Sequence, residues 1–181
     1  MMTRYETYEH LLNRKLQPWS YPGLSVDAGV VSFPLYDLSG KRVGYQDYRP
    51  FAERNCKNVR EARYFTYLPK GVNGYFGTES FLDSRMKPNW PVYLVEGVFK
   101  AGALHSLGVP AMALMGSETK RHQEQLRLLP YKFVAIGDND DAGRKFARNL
   151  GGVVSPVDLD EMSREDLSNF VSNLERKYAN Y

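Results

Sequence analysis

Polar and hydrophobic residues in the first half of the chain follow patterns typical of a short helix and then of β-strands. The predicted helix covers residues 3–16 and ends before Pro18, because proline cannot continue a helical hydrogen-bond ladder. Residues 30–36 and 42–48 are rich in β-branched and aromatic side chains and flank a short turn, so they predict an antiparallel hairpin. A further strand is predicted over residues 63–68.

The pattern changes after a proline-containing connection at residues 87–91, and we place a domain boundary between residues 1–88 and residues 89–181. Beyond it, apolar runs alternate with helical patterns, which predicts an α/β domain with a mainly parallel sheet flanked by helices. The last helix is expected to begin after Ser163, a residue type that caps helices well. The predicted strands are 92–95, 110–114, 133–136 and 153–154, and the predicted helices are 99–107, 118–129, one spaced by Ala142, Phe146 and Leu150, and one with Leu167, Phe170, Val171, Leu174 and Tyr178 on one face.

Charge is distributed unevenly, although the net charge is only +3. Residues 1–88 hold 13 Lys and Arg against 9 Asp and Glu, whereas residues 89–181 hold 11 against 12. Within residues 41–70 the excess sharpens to 8 basic against 3 acidic residues, interleaved with six aromatic ones. Basic groups neutralise phosphates and aromatic rings accept stacked bases, so this segment fits a surface for single-stranded nucleic acid. The alternative is an ordinary β-rich surface, since strands favour Tyr and Phe.

No apolar run approaches the roughly 18 to 20 residues that span a bilayer, and the first residues lack the apolar core of a signal peptide. We therefore expect a cytoplasmic protein without a membrane partner. Cys56 is the only cysteine, and the three scattered histidines lack the paired spacing of a zinc site. Any bound metal is therefore expected on carboxylates, and no zinc is expected.

Carboxylates follow two of the predicted buried strands. Glu96 comes directly after strand 92–95, and Asp138 and Asp140 follow strand 133–136. Because the carboxyl ends of strands line the functional crevice of an open α/β sheet, we expect these side chains to converge. Such oxygen ligands suit Mg²⁺ or Mn²⁺, and clustered like charges are costly unless a cation neutralises them. The alternative for the Asp-rich run alone is a turn that caps the next helix.

The order and spacing of these motifs closely resemble the Toprim domain of DnaG-type bacterial and phage primases. The resemblance rests on the segments Val95-Glu96-Gly97, 103–109, Gly116-Ser117 and 138–145, with Asp158-Leu159-Asp160-Glu161 in the place of a later acidic motif. The front half is similar, less closely, to the basic subdomain that precedes Toprim in these primases. The resemblance covers roughly residues 28–161.

The resemblance implies synthesis of short RNA primers on single-stranded DNA from nucleoside triphosphates, with Mg²⁺ or Mn²⁺ as cofactor. In that reading Glu96, Asp138 and Asp140 are catalytic metal ligands, and Asp158 and Asp160 complete the metal set. The residues expected to contact nucleotide or nucleic-acid phosphates are Arg49, Arg63, Lys70, Lys100, Arg144 and Lys145, the last two having a solvated helix face as their alternative. His105 is expected to be structural, because it lies inside an amphipathic helix.

Three features depart from the family pattern. We expect a catalytic core alone, without the zinc-binding domain that precedes Toprim in these primases and without a helicase or helicase-binding domain after it. Such a core would depend on a separate helicase or zinc-domain protein for template choice. The third departure is Lys100, which stands where the family usually has an aspartate four residues after the glutamate. Its ammonium group cannot ligate a metal, and from the first-turn geometry of its helix we expect it near the crevice. The alternative is that Lys100 points to solvent and has no role in the site.

Two alternatives to a primase-like nucleotidyltransferase stay open from the sequence. A Toprim nuclease, similar to the maturase and overcoming-lysogenization families, would use the same metals to activate water. A non-catalytic nucleic-acid-binding accessory protein would keep the fold and lose the chemistry, as the substitution at Lys100 suggests. A labelled template incubated with triphosphates and magnesium separates the two enzymes, because one lengthens a product and the other shortens its substrate.

Overall fold

The computed structural model describes residues 2–82, 90–116 and 119–178, and its strands form two sheets of four. The strands are β1 (Ser25–Asp27), β2 (Val30–Tyr36), β3 (Arg42–Tyr48), β4 (Tyr64–Tyr67), β5 (Pro91–Val95), β6 (Ala111–Ala113), β7 (Lys132–Gly137) and β8 (Gly152–Val154). The helices are α1 (Arg4–Asn13), α2 (Glu79–Leu82), α3 (Val98–His105), α4 (Lys120–Leu126), α5 (Asp141–Leu150) and α6 (Arg164–Tyr178), with 3₁₀ turns at Pro18–Ser20 and Val59–Glu61.

The first sheet is antiparallel, with the order β1-β2-β3-β4, and it contains the predicted hairpin of β2 and β3. The helix before it starts at a capping box, in which the Thr3 hydroxyl accepts a hydrogen bond from the Glu6 amide at 3.2 Å and the Glu6 carboxylate accepts one from the Thr3 amide at 2.6 Å. Strand β1 was not predicted, because its one apolar residue, Val26, lies between two polar residues and forms no apolar run that would mark a strand.

The second sheet is parallel, with the order β6-β5-β7-β8, and it confirms the predicted α/β class. Every residue of β5 is buried, as expected for a central strand with a neighbour on each side and helices on both faces. Strand β8 leads through a loop to α6, which begins as predicted after Ser163, whose hydroxyl accepts a hydrogen bond from the Asp166 amide at 3.0 Å.

A two-residue extended segment bridges the end of β2 in the first sheet and the strand β6 at the edge of the second. Tyr75 exchanges backbone hydrogen bonds with Tyr36 of β2 at 2.8 and 2.9 Å, and Phe76 does so with Ala113 of β6 at 2.9 and 3.2 Å. The predicted boundary at residues 88 and 89 lies outside the described residues, and the division into two domains stays a prediction. These backbone hydrogen bonds nevertheless hold the antiparallel sheet beside the parallel one.

Phe99 of α3 packs the two sheets onto a common hydrophobic core. Its ring lies edge-on to Phe33 of β2 and Tyr48 of β3, with centroid distances of 5.8 and 4.8 Å. The contacts bring the first turn of α3 under the antiparallel sheet. In the parts of the chain that the structure describes, no helix has the length and apolar character needed to cross a membrane.

Candidate functional site

The five predicted acidic residues all line one cleft at the carboxyl edge of the parallel sheet, with a volume of about 590 Å³. Glu96 follows β5, Asp138 and Asp140 follow β7, and Asp158 and Asp160 follow β8. Three adjacent strands therefore deliver the carboxylates to one edge, which is the physical reason for the convergence expected from the sequence.

Two glycines allow α5 to start directly against the end of β7. A Cβ atom at Gly137 would lie 1.9 Å from the Gly143 carbonyl oxygen, and one at Gly143 would lie 2.2 Å from the Asp138 amide nitrogen. The Asp140 carboxylate caps α5 by accepting a hydrogen bond from the Gly143 amide at 2.7 Å. The alternative reading of the Asp-rich run as a helix cap is thus correct for Asp140, while the tight turn presents Asp138 to the cleft.

Lys100 lies among the carboxylates, as its place in the first turn of α3 predicted. Its ammonium donates a hydrogen bond to Oδ2 of Asp138 and lies 3.8 Å from Oδ1 of Asp158. The Lys100 side chain is only 14% exposed, so this charge is held inside the cleft and does not extend into solvent. An ammonium group therefore occupies the space between two of the predicted metal ligands.

Glu96 has a half-buried carboxylate whose negative charge is only partly compensated. Its Oε1 atom is buried and has no hydrogen-bond partner among the described residues. Burial raises the pKa of Glu96 first of all, and the negative charges of Asp138 and Asp140 raise it further, against an opposing effect of Lys100. A cation beside Glu96 would relieve both the desolvation and the repulsion.

Asp160 is held by Arg14 from the loop after α1. The Asp160 side chain is 2% exposed, and its Oδ2 accepts hydrogen bonds from Nε and Nη2 of Arg14 at 2.9 and 2.5 Å. Lys15 donates to the backbone oxygen of the same residue, and the Arg14 guanidinium lies 3.6 Å from the centroid of the Phe99 ring. Burial opposes the charged form of Arg14, yet its bonds to Tyr64 and Asp160 raise its pKa overall. Sequence reasoning missed this pair, whose members are 146 positions apart and share no local pattern.

The opposite wall of the cleft combines the antiparallel sheet, through Gln46 of β3 and Tyr64 of β4, with Arg14 and with Arg54 from the loop between these strands. Alternation along the strands divides the predicted aromatic segment between two faces. Tyr64 lies on the face that lines the cleft. On the opposite face of the sheet, the Tyr45 ring lies 5.5 Å from that of Tyr67 and 6.2 Å from that of Phe65.

The other predicted phosphate contacts lie outside the lining of this cleft. Arg49 pairs with Asp47 at 3.1 Å, and Nε of Arg63 donates to the Ala52 carbonyl at 2.9 Å. The remaining three, Lys70, Arg144 and Lys145, are exposed, and Arg144 pairs with Asp141 at 2.8 Å. Their roles in nucleic-acid binding stay predictions, whereas Arg14 and Arg54 were not singled out from the sequence.

His105 has a structural environment, as predicted. Its Nε2 donates to the Ala111 carbonyl at 2.9 Å, so its Nδ1 is the acceptor for the Tyr21 hydroxyl at 2.8 Å. Burial lowers the pKa of His105 to about 4, against a smaller opposing effect of the Ala111 hydrogen bond. The ring is therefore neutral near pH 7.

The donor set of the cleft fits a magnesium ion. Among residues 2–82, 90–116 and 119–178, no three His, Cys, Asp or Glu side chains are grouped closely enough to enclose a metal by themselves. Mg²⁺ does not require such a cage, because it keeps several waters and binds one or two carboxylates together with substrate phosphates. The unpartnered Oε1 of Glu96 and the adjacent Asp138 supply that number of ligands.

Comparisons with known proteins match the part of the chain that carries the acidic cleft to a known family. Residues 93–167, which include every acidic residue of the cleft, match the family model described as Toprim-like. No curated protein matches the chain. The predicted resemblance to the Toprim catalytic core of DnaG-type primases is confirmed, both by this family model and by solved structures of the same fold.

Three solved structures illustrate the shared fold. A DnaG catalytic core matches with a TM-score of 0.63 and 20% identity, covering 84% of this chain and 56% of that one. A DNA primase domain from Pseudomonas aeruginosa matches with a TM-score of 0.62 and 19% identity, covering 94% and 58%. A DnaG primase catalytic domain bound to single-stranded DNA matches with a TM-score of 0.60 and 18% identity, covering 93% and 58%. This chain thus spans somewhat more than half the length of these structures.

Proposed function

We propose that this chain is a primase-like nucleotidyltransferase that joins ribonucleotides from nucleoside triphosphates on a single-stranded DNA template. The observation that carries the proposal is the convergence of Glu96, Asp138 and Asp158 in one cleft that faces the antiparallel sheet. The fold supports it, because the cleft lies in a Toprim-like domain within the frame of DnaG catalytic cores, one of which was solved with single-stranded DNA.

The acidic wall would hold the reacting phosphates through magnesium. We assign Glu96 and Asp138 as ligands, and the carboxylate oxygen of Asp140 that does not cap α5 as a further acceptor. When bound, Mg²⁺ neutralises the triphosphate and favours ionisation of the attacking hydroxyl. We assign Asp160 to a different task, since its carboxylate is buried against Arg14 and holds the acidic loop in place.

The opposite wall would position the nucleic acid. Arg54 is exposed at the cleft and has the charge to contact a phosphate, and Tyr64, which is 40% exposed, offers a ring on which a base can stack. Gln46 uses its amide nitrogen to bond Thr66 at 2.8 Å, which leaves its carbonyl oxygen as an acceptor for a sugar or base donor. The acidic wall therefore suits the metal-bound triphosphate, and the basic wall suits the template strand.

The decisive assay is primer synthesis on labelled single-stranded DNA with triphosphates and Mg²⁺, run with and without a chelator. Asp138→Asn keeps the shape of the side chain and removes one ligand charge, so we expect activity to fall at least about 100-fold. Asp141→Asn is the matched control in the same run, because its side chain is wholly exposed and pairs only with Arg144 among the described residues. We expect Asp141→Asn to keep near wild-type activity.

The same reactions separate this proposal from the other functions. A shortened template with no new product would identify a Toprim nuclease and refute primer synthesis. Binding of the template without any product would favour a non-catalytic accessory protein, the reading that the ion pair between Lys100 and Asp138 supports. Equal activity of Asp138→Asn and Asp141→Asn would contradict the assignment of the cleft itself.

The basic wall can be tested by the dependence of template binding on salt. If Arg54 contacts one phosphate, Arg54→Ala should lower the slope of log affinity against log salt concentration by about 0.7 for a single strand. Lys120→Ala is a suitable control, because Lys120 is exposed at the start of α4 and does not line the cleft. An unchanged slope for Arg54→Ala would exclude the phosphate contact.

A further inference from the structure

The charges of the cleft are already partly matched by groups of the chain. Arg14 neutralises Asp160, and Lys100 bonds Asp138 and lies 3.8 Å from Asp158. Asp140 uses one carboxylate oxygen to cap α5. Oε1 of Glu96 and Oδ1 of Asp160 are both buried without a hydrogen-bond partner among the described residues. Because Asp160 already pairs with Arg14, Glu96 is the one of these two that is left for a metal ion.

The helix that carries Lys100 is held rigidly at the cleft. Its neighbours Phe99 and Ala101 are buried, and Gly102 approaches Leu16 so closely that an added Cβ would lie 3.0 Å from a leucine methyl carbon. The backbone at Lys100 is therefore fixed in position, and the Lys100 side chain is only 14% exposed. Its ammonium is a built-in cation of the cleft and not a surface charge that happens to lie close by.

We infer that the cleft binds one divalent cation, on Glu96 and Asp138, and that the ammonium of Lys100 takes the place of a second one between Asp138 and Asp158. This inference rests on the proposed metal site and specifies its stoichiometry. A divalent ion between the two aspartates would meet the ammonium at contact distance, and the repulsion at such a distance is several times the thermal energy even in a watery cleft. The Lys100 ammonium thus neutralises Asp138 and Asp158 in place of a second divalent ion.

The inference is tested by counting Mn²⁺ ions on the protein without nucleotide or template. Free Mn²⁺ is measured by electron paramagnetic resonance during a titration of the wild type and of three variants, and circular dichroism checks their folding. Lys100→Asp removes the cation and adds a ligand, and Lys100→Met removes the cation alone. Lys120→Asp makes the same change of charge on an exposed residue away from the cleft.

We expect one Mn²⁺ per chain for the wild type and two for Lys100→Asp. We expect Lys100→Met to bind one ion at least about tenfold more tightly, because Asp138 is released from its ion pair. Lys120→Asp should match the wild type in both number and affinity. Two ions on the wild type, no ion on the wild type, or a single ion on Lys100→Asp with unchanged affinity for Lys100→Met would each overturn the inference.

The count is independent of activity, so the two proposals can fail separately. An inactive protein whose Mn²⁺ count rises from one to two on Lys100→Asp would refute primer synthesis and leave the inference intact. An active protein that binds two ions in its wild-type form would do the reverse. A Lys100→Asp variant that fails to fold leaves the decision to Lys100→Met, which overturns the inference if its affinity for Mn²⁺ equals that of the wild type.

Discussion

Replacing Arg14 should destabilise the protein far more than replacing Arg144, an exposed arginine whose ion pair has a comparable length. Arg14→Met keeps the length of the side chain and some of its contact with the Phe99 ring, but it removes the guanidinium that bonds Asp160. The Asp160 carboxylate, with 2% of its side chain exposed, is then left buried with a charge that has lost its partner.

The size of the effect follows from burial. Breaking a buried ion pair by removing one partner costs about 3 to 5 kcal/mol, because the remaining charge stays desolvated. Arg14 is 29% exposed, so some water can reach the vacated space, and we expect the lower end, about 3 kcal/mol. Arg144→Met removes a pair of comparable length, 2.8 Å, whose members are 52% and 100% exposed, and we expect no measurable loss.

Urea unfolding near neutral pH, followed by circular dichroism, measures both free energies. The variant that combines Arg14→Met with Asp160→Asn should be more stable than Arg14→Met alone by at least about 1 kcal/mol, because the second change removes the unpaired buried charge. Equal losses for Arg14→Met and Arg144→Met would refute the reasoning. So would a double variant that is no more stable than Arg14→Met.

Three further predictions concern stability. Burial lowers the pKa of His105 to about 4 from an ordinary value near 6.5. The contribution of this neutral ring to the free energy of unfolding is therefore complete above about pH 6.5 and is lost as the pH falls toward 4. His105→Gln should flatten the pH dependence of urea unfolding, and an unchanged profile would contradict the assignment. Asp140→Ala should cost about 1 kcal/mol by removing the α5 cap while Asp140→Asn costs little, and equal losses would exclude the cap. Gly143→Ala should cost more than about 2 kcal/mol, because its methyl group would meet the Asp138 backbone, whereas Gly97→Ala meets no neighbouring atom within 4 Å; equal melting temperatures would disprove the close approach.

Much of the fold could be predicted from the sequence because its signals are local. The hairpin of β2 and β3, the buried strands β5 and β7, and the start of α6 after Ser163 each depend on residues within a few positions of one another. The acidic ends of β5 and β7 could be predicted to converge for the same reason, since parallel strands present their carboxyl ends at one edge. Three elements escaped, β1, α2 and the joining segment at Tyr75, because none of them contains an apolar run or a repeat that marks its type.

The partner of each charged side chain was decided only by the tertiary structure. The family resemblance groups Asp160 with the metal ligands, and the packing of α1 against the cleft brings Arg14 to it across 146 positions. The basic and aromatic segment reads as one surface along the chain, yet strand alternation places Tyr64 in the cleft and Tyr45 on the other face. Local sequence determines which elements form and what they end on, whereas burial and pairing of charges depend on which distant elements pack together, and that information lies in no single segment of the chain.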